Sequence, residues 1–146
     1  MNALAEKSER QLRQKILVVD DEQVILDLLR RVLSREGYEV ATTTRGDEAV
    51  RLVSTGHFDL AIADIGLHRL DGRDLMMRIK QASPETALVA MTGYPASEVL
   101  GFARDHTDGY LEKPFALEEL LRAVRRALEE RVKLSGEAAA IASTSS

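Results

Sequence analysis

The sequence contains no cysteine, which excludes disulfides, cysteine-ligated zinc, iron–sulfur clusters and thiol catalysis. It has no long hydrophobic run either. Stretches such as 16–19 and 87–91 are four and five residues, far short of the roughly 20 that a membrane-spanning helix needs. A surplus of positive charge is also missing. Twenty Lys and Arg stand against 24 Asp and Glu, a formal net charge of −4, whereas a nucleic-acid binder needs a basic stripe or patch. The first fourteen residues are charged throughout and have no apolar core, so they do not read as a secretory signal. What is present is ordinary for a folded domain: 45% of the 146 residues are hydrophobic, enough for one core. A protein of the cytoplasm, with no membrane or nucleic-acid partner, is the expectation.

The negative charge is not spread evenly. Residues 15–115 hold 12 basic and 17 acidic groups, a net of −5, while the rest of the chain sums to +1. Carboxylates scattered over a solvated surface are the usual cause of such an imbalance. Carboxylates converging at strand ends are the informative one.

Short apolar runs alternate with helical patterns along the chain. Residues 15–20 read as a buried strand ending in acids. Ile25, Leu28, Leu29 and Val32 then recur at helical spacing until Gly37. Residues 38–42 form a second strand, and 46–55 a helix with Ala49, Val50 and Val53 on one face. Residues 58–64 form a third strand that again closes on an acid. A loop through Gly66, Asp71 and Gly72 leads to a helix with Leu75, Met76 and Ile79 inward. After Pro84 comes a fourth strand, 86–91, ending at Thr92. A weakly patterned helix over 95–104, a short strand over 109–112 and Pro114 follow. Leu117, Leu120, Leu121, Val124 and Leu128 stripe a last helix that should reach about Lys133.

Strict alternation of five strands and five helices implies a parallel sheet with right-handed crossovers. Strands without polar alternation, such as 16–19 and 60–63, imply helices on both faces. The fold class is therefore α/β, a doubly wound three-layer sandwich. In such sheets ligands bind beyond the carboxyl ends of the strands. Those ends carry Asp20 and Asp21, then Asp64, Thr92 and Lys113, while the second strand offers nothing comparable and should lie at an edge. Asp21 alone reads equally well as a helix N-cap. Three carboxylates gathered with one lysine need a cation, and hard oxygen donors at a partly open site suit Mg2+.

The ordered set resembles the receiver domain of two-component response regulators. The matching segments are Ile16-Leu17-Val18-Val19-Asp20-Asp21-Glu22, Phe58-Asp59-Leu60-Ala61-Ile62-Ala63-Asp64, Asp71-Gly72, Met91-Thr92-Gly93 and Gly109-Tyr110-Leu111-Glu112-Lys113-Pro114-Phe115. The resemblance implies a flavodoxin-like sheet of order 2-1-3-4-5 and a domain over 15–134. Residues 1–14 would then be an extension, and the Ala/Ser-rich residues 135–146 a disordered tail or linker.

By that resemblance, Asp64 is the phosphoacceptor, loaded from a sensor histidine kinase or a histidine phosphotransfer protein, and the domain is a switch rather than an enzyme. Asp21 and Asp64 would ligate Mg2+ directly, Asp20 through a water, and the Gly66 carbonyl would complete the protein's share. Lys113 would pair with a phosphoryl oxygen, its peptide bond to Pro114 being cis in the family. Thr92 would turn toward the phosphoryl group and Tyr110 would follow into the space it leaves. A downstream protein or output domain is implied, and the last helix face leaves room for a homodimer. No helix-turn-helix, GGDEF-like or ATPase segment follows the receiver pattern, so the output is expected in a partner or beyond these residues.

Departures are few. Leu67 and His68 stand where the family usually has Met-Pro, which should loosen that loop. His106-Thr107 replaces a common Gly-Ala, so the helix end there should differ. Gly66 and Tyr94 occupy positions that tune dephosphorylation in the family, and the bulk of Tyr94 should shield the acyl phosphate from water. Two other functions fit the same fold. One is an Mg2+-dependent phosphohydrolase with an Asp nucleophile, disfavoured because Asp20 and Asp21 are adjacent rather than spaced by one residue. The other is a phosphorylation-independent interaction module, disfavoured because Asp64, Thr92 and Lys113 are all retained.

Overall fold

The computed structural model describes residues 13–66, 72–93 and 97–144, with backbone only for 97–100 and 132–144. Leu67, His68, Asp71, Tyr94 and residues 1–12 lie outside it, so the expectations placed on them are not addressed by it.

Among the described residues, five strands, β1 (Lys15–Val19), β2 (Glu39–Thr43), β3 (Leu60–Asp64), β4 (Ala87–Thr92) and β5 (Gly109–Glu112), alternate with five helices. The helices are α1 (Gln23–Arg35), α2 (Gly46–Gly56), α3 (Gly72–Ala82), α4 (Ser97–His106) and α5 (Leu117–Thr144). All strand pairs are parallel, in the order β2-β1-β3-β4-β5. The flavodoxin-like order is thus present, with β2 at one edge and β5 at the other.

Alternation along each strand splits the core in two. Ile16, Val18, Leu60, Ile62, Val89 and Met91 pack against α1 and α5 on one face. Leu17, Val19, Ala61, Ala63, Leu88 and Ala90 pack against α2, α3 and α4 on the other. Every residue of β3 and β4 is buried, because both faces are covered.

Two local expectations need correction. The buried stripe of α1 is Leu26, Leu29 and Leu33, whereas Leu28 is 41% exposed. Apolar residues crowd 24–26, 28–29 and 32–33, so helical spacing fits two neighbouring stripes and only docking onto the sheet selects one. The last helix does not stop near Lys133 but continues to Thr144. Four alanines among residues 138–142 favour helix, and no proline interrupts it. Gly136 costs only about 1 kcal/mol relative to alanine.

The altered end of α4 has a clear substitute. Thr107 donates its hydroxyl to the Ala103 carbonyl and, at 3.0 Å, to the Gly109 carbonyl. His106 stacks on Phe102 with ring centroids 4.0 Å apart. Side-chain bonding thus secures this helix end, where the sequence has no glycine at 106 or 107.

Candidate functional site

The sheet order decides what can meet. β1, β3, β4 and β5 are consecutive neighbours, so residues just past their carboxyl ends stand side by side. Ladder hydrogen bonds run on beyond the strands and hold those ends in place. The Asp20 amide donates to the Thr43 carbonyl at 3.2 Å, Ile65 to Met91 at 2.9 Å and Lys113 to Thr92 at 2.8 Å. Asp64 itself pairs with Met91 in the register, and Thr92 with Glu112.

Asp20, Asp21, Asp64 and Lys113 come together there, with Gly66 and Thr92 beside them. One carboxylate oxygen from each of Asp20, Asp21 and Asp64 lies within 4.8 Å of the others. Asp20 is fully buried, Asp64 and Thr92 nearly so, and Asp21 is exposed. Lys113 Nζ donates to Asp20 Oδ2 at 2.6 Å and to Asp64 Oδ2 at 2.9 Å. The other carboxylate oxygens accept backbone amides: Asp20 Oδ1 from Glu22 and Asp64 Oδ1 from Gly66, each at 2.8 Å. The Lys113–Pro114 peptide bond is cis.

Burial pushes the Asp20 carboxyl above its ordinary value, and the hydrogen bonds from Lys113 and the Glu22 amide only partly oppose it. Burial alone would lower Lys113. Its hydrogen bonds to Asp20 and Asp64 outweigh that and hold the ammonium above its ordinary value. The cluster therefore carries more carboxylate than one lysine compensates. All three side chains are hard oxygen donors at a partly open site, a set that fits a divalent cation such as Mg2+.

Glycine shapes the loop beyond β3. A Cβ on Gly66 would stand 3.3 Å from Asp64 Oδ1, a tight approach, and 3.6 Å from Thr92 Oγ1, an ordinary contact. A Cβ on Gly72 would meet the Ile65 carbonyl oxygen at 2.3 Å. That close backbone contact accounts for glycine at the start of α3. On β5, Tyr110 is half-buried, and its buried hydroxyl has no hydrogen-bond partner among the described residues. Burial, assisted by the nearby Glu112 charge, raises that hydroxyl above its ordinary value.

Two points escaped the sequence reading. Helix α1 has Glu22, not Asp21, at its N-cap, so Asp21 is not the capping residue. Glu22 itself approaches the site, with Oε1 3.7 Å from Lys113 Nζ. The run of three acids over 20–22 was the available signal, but only tertiary structure places the third beside the lysine.

Comparison with known proteins agrees with this geometry. A family described as "Response regulator receiver domain" matches residues 16–125. Response regulator MprA of Mycobacterium ulcerans is 37% identical over 127 residues, which cover 86% of this chain and 54% of that protein. The chain thus spans about half the length of such curated relatives. A CheY-like receiver domain protein from Methanospirillum hungatei superposes with a TM-score of 0.79 at 31% identity, over 83% of this chain and 98% of that one. A response regulator from Burkholderia pseudomallei, solved with a phosphorylated aspartic acid, calcium and citrate, gives 0.70 at 28% identity, over 86% and 73%.

Proposed function

This chain belongs to the response regulator receiver family, and on that premise we propose that Asp64 accepts a phosphoryl group from a phosphohistidine of a sensor kinase or histidine phosphotransfer protein. The observation that carries this reading is the nearly buried Asp64 carboxylate, held between the Lys113 ammonium and the Gly66 amide beside two further acids. The calcium and phosphorylated aspartic acid of the Burkholderia pseudomallei relative support it.

An Asp64 oxygen attacks phosphorus while the phosphorus–nitrogen bond to the donor imidazole breaks. The electron pair leaves on that nitrogen, which takes a proton from solvent, and Asp64 becomes an acyl phosphate. As the phosphoryl group arrives, Lys113 exchanges a carboxylate oxygen for a phosphoryl oxygen. Mg2+ suits the donor set: Asp21, Asp64 and the Gly66 carbonyl would hold it, with Asp20 at one remove through water. When bound, it supplies positive charge that offsets the repulsion between carboxylate and phosphoryl oxygens.

Thr92 and Tyr110 form the switch in this reading. Hydrogen bonds to a charged group are worth about 1.5–3 kcal/mol each. One from Thr92 and one from Lys113 give roughly 3–6 kcal/mol, against the about 5.5 kcal/mol needed to invert a 1:99 equilibrium. The signal then passes to a downstream protein or an output domain. No helix among the described residues is long and apolar enough to cross a membrane.

The test is to incubate the protein with Mg2+ and a small acyl-phosphate donor and look for an acid-stable, base-labile phosphoprotein. Labelling of the wild type with none of Asp64→Asn is expected. Equal labelling of the two would overturn the reading.

A further inference from the structure

In the resting site both oxygens of Asp64 are engaged, Oδ1 by the Gly66 amide at 2.8 Å and Oδ2 by Lys113 Nζ at 2.9 Å. For Oδ2 to attack phosphorus, the ammonium must loosen its hold and move toward the incoming phosphoryl group. Asp20 cannot draw it that way, since it is fully buried at the base of the site and already in contact at 2.6 Å. Glu22 can. Its Oε1 lies 3.7 Å from Nζ, and its side chain is 63% exposed against 14% for Lys113, so it flanks the lysine on the solvent side.

Two further features direct Glu22 to this task. Its amide donates to Asp20 Oδ1 at 2.8 Å, which fixes its backbone against the site. It also occupies the N-cap of α1 in an extended conformation, yet its side chain makes no capping hydrogen bond. Short N-cap side chains such as Asp, Asn, Ser and Thr turn back onto the first helical amides, and the longer Glu22 side chain does not. Here the carboxylate is left for the lysine.

We propose that Glu22 is a positioning residue for phosphoryl transfer: its carboxylate supports the Lys113 ammonium as it leaves Asp64 Oδ2 and keeps it where phosphoryl oxygens arrive. This rests on the reading of Asp64 as phosphoacceptor. A negative charge at the mouth also repels an anionic donor, an effect of opposite sign on the rate. Repulsion acts on donor binding, whereas positioning acts on the maximal rate.

The experiment measures Asp64 phosphorylation by acetyl phosphate with Mg2+ across a donor titration, for wild type, Glu22→Gln and Glu22→Asp. Glu22→Gln is expected to lower the maximal rate roughly two- to fivefold, the scale of an exposed ion pair. Glu22→Asp, which keeps the charge, should recover part of that loss. Calorimetry should find Mg2+ affinity unchanged in Glu22→Gln, because the carboxylate cluster is intact. A maximal rate that is unchanged or raised in Glu22→Gln would overturn the role of Glu22 while leaving Asp64 as acceptor. Failure of the wild type to take up phosphate would overturn both.

Discussion

Lys113 Nζ donates to Asp20 Oδ2 at 2.6 Å across 93 residues of sequence. It ties the residue after β5 to the residue after β1, two strands that are not neighbours in the sheet. The same ammonium reaches Asp64 on β3, so one side chain pairs with acids from the ends of two strands.

Removal of that lysine should be costly in the metal-free protein. Lys113→Met leaves Asp20 and Asp64 uncompensated in a buried setting, a loss of about 3 kcal/mol and roughly 10 °C in melting temperature. Excess Mg2+ should restore part of the loss by supplying the missing charge. Thermal melts with chelator and with Mg2+ check this; an equal deficit in both would refute it.

Asp20→Asn should act in the opposite direction. Asp20 is raised above its ordinary value of 3.8 in the fold, so its ionised form is disfavoured there relative to the unfolded chain. The penalty is absent below the unfolded value, grows as pH rises through the folded value and is full above it. The metal-free variant should therefore melt higher than wild type near pH 7, with the difference shrinking toward pH 4, while Mg2+ binds it more weakly. Melting curves across pH and a Mg2+ titration test both halves.

Tyr110→Phe should cost nothing in the unphosphorylated protein. The hydroxyl is buried without a hydrogen-bond partner among the described residues, and deleting such a group is neutral or stabilising by up to about 1 kcal/mol. Denaturant melts would contradict this if the variant lost more than that amount.

Two glycines should respond oppositely to alanine. Gly72→Ala forces a methyl against the Ile65 carbonyl and should destabilise by about 1–3 kcal/mol, as overpacking does. Gly101 lies within α4, is exposed and has nothing within 4 Å of a Cβ. Gly101→Ala should stabilise by about 0.5–1 kcal/mol through helix propensity. Parallel melts of the two variants decide the matter.

Much of this molecule is legible in its residues taken in order. Unbroken apolar runs such as 16–19 and 60–63 announce strands covered on both faces, because a solvent-facing side would need polar alternation. Acids and a lysine placed just after those runs mark the functional end, because a parallel sheet brings its carboxyl ends to one side. Resemblance then supplied the strand order. Local pattern could not choose Leu26 and Leu33 over Leu28 as the buried side of α1, since both stripes satisfy helical spacing and only contact with the sheet separates them. It also could not extend α5 to Thr144, where alanine propensity outweighs a composition that resembles linker. The meeting of Glu22, Lys113 and Asp20 was likewise a matter for tertiary structure. Hydrophobic periodicity is a property of neighbours along the chain, whereas an ion pair spanning 93 residues exists only once the strands between them have paired.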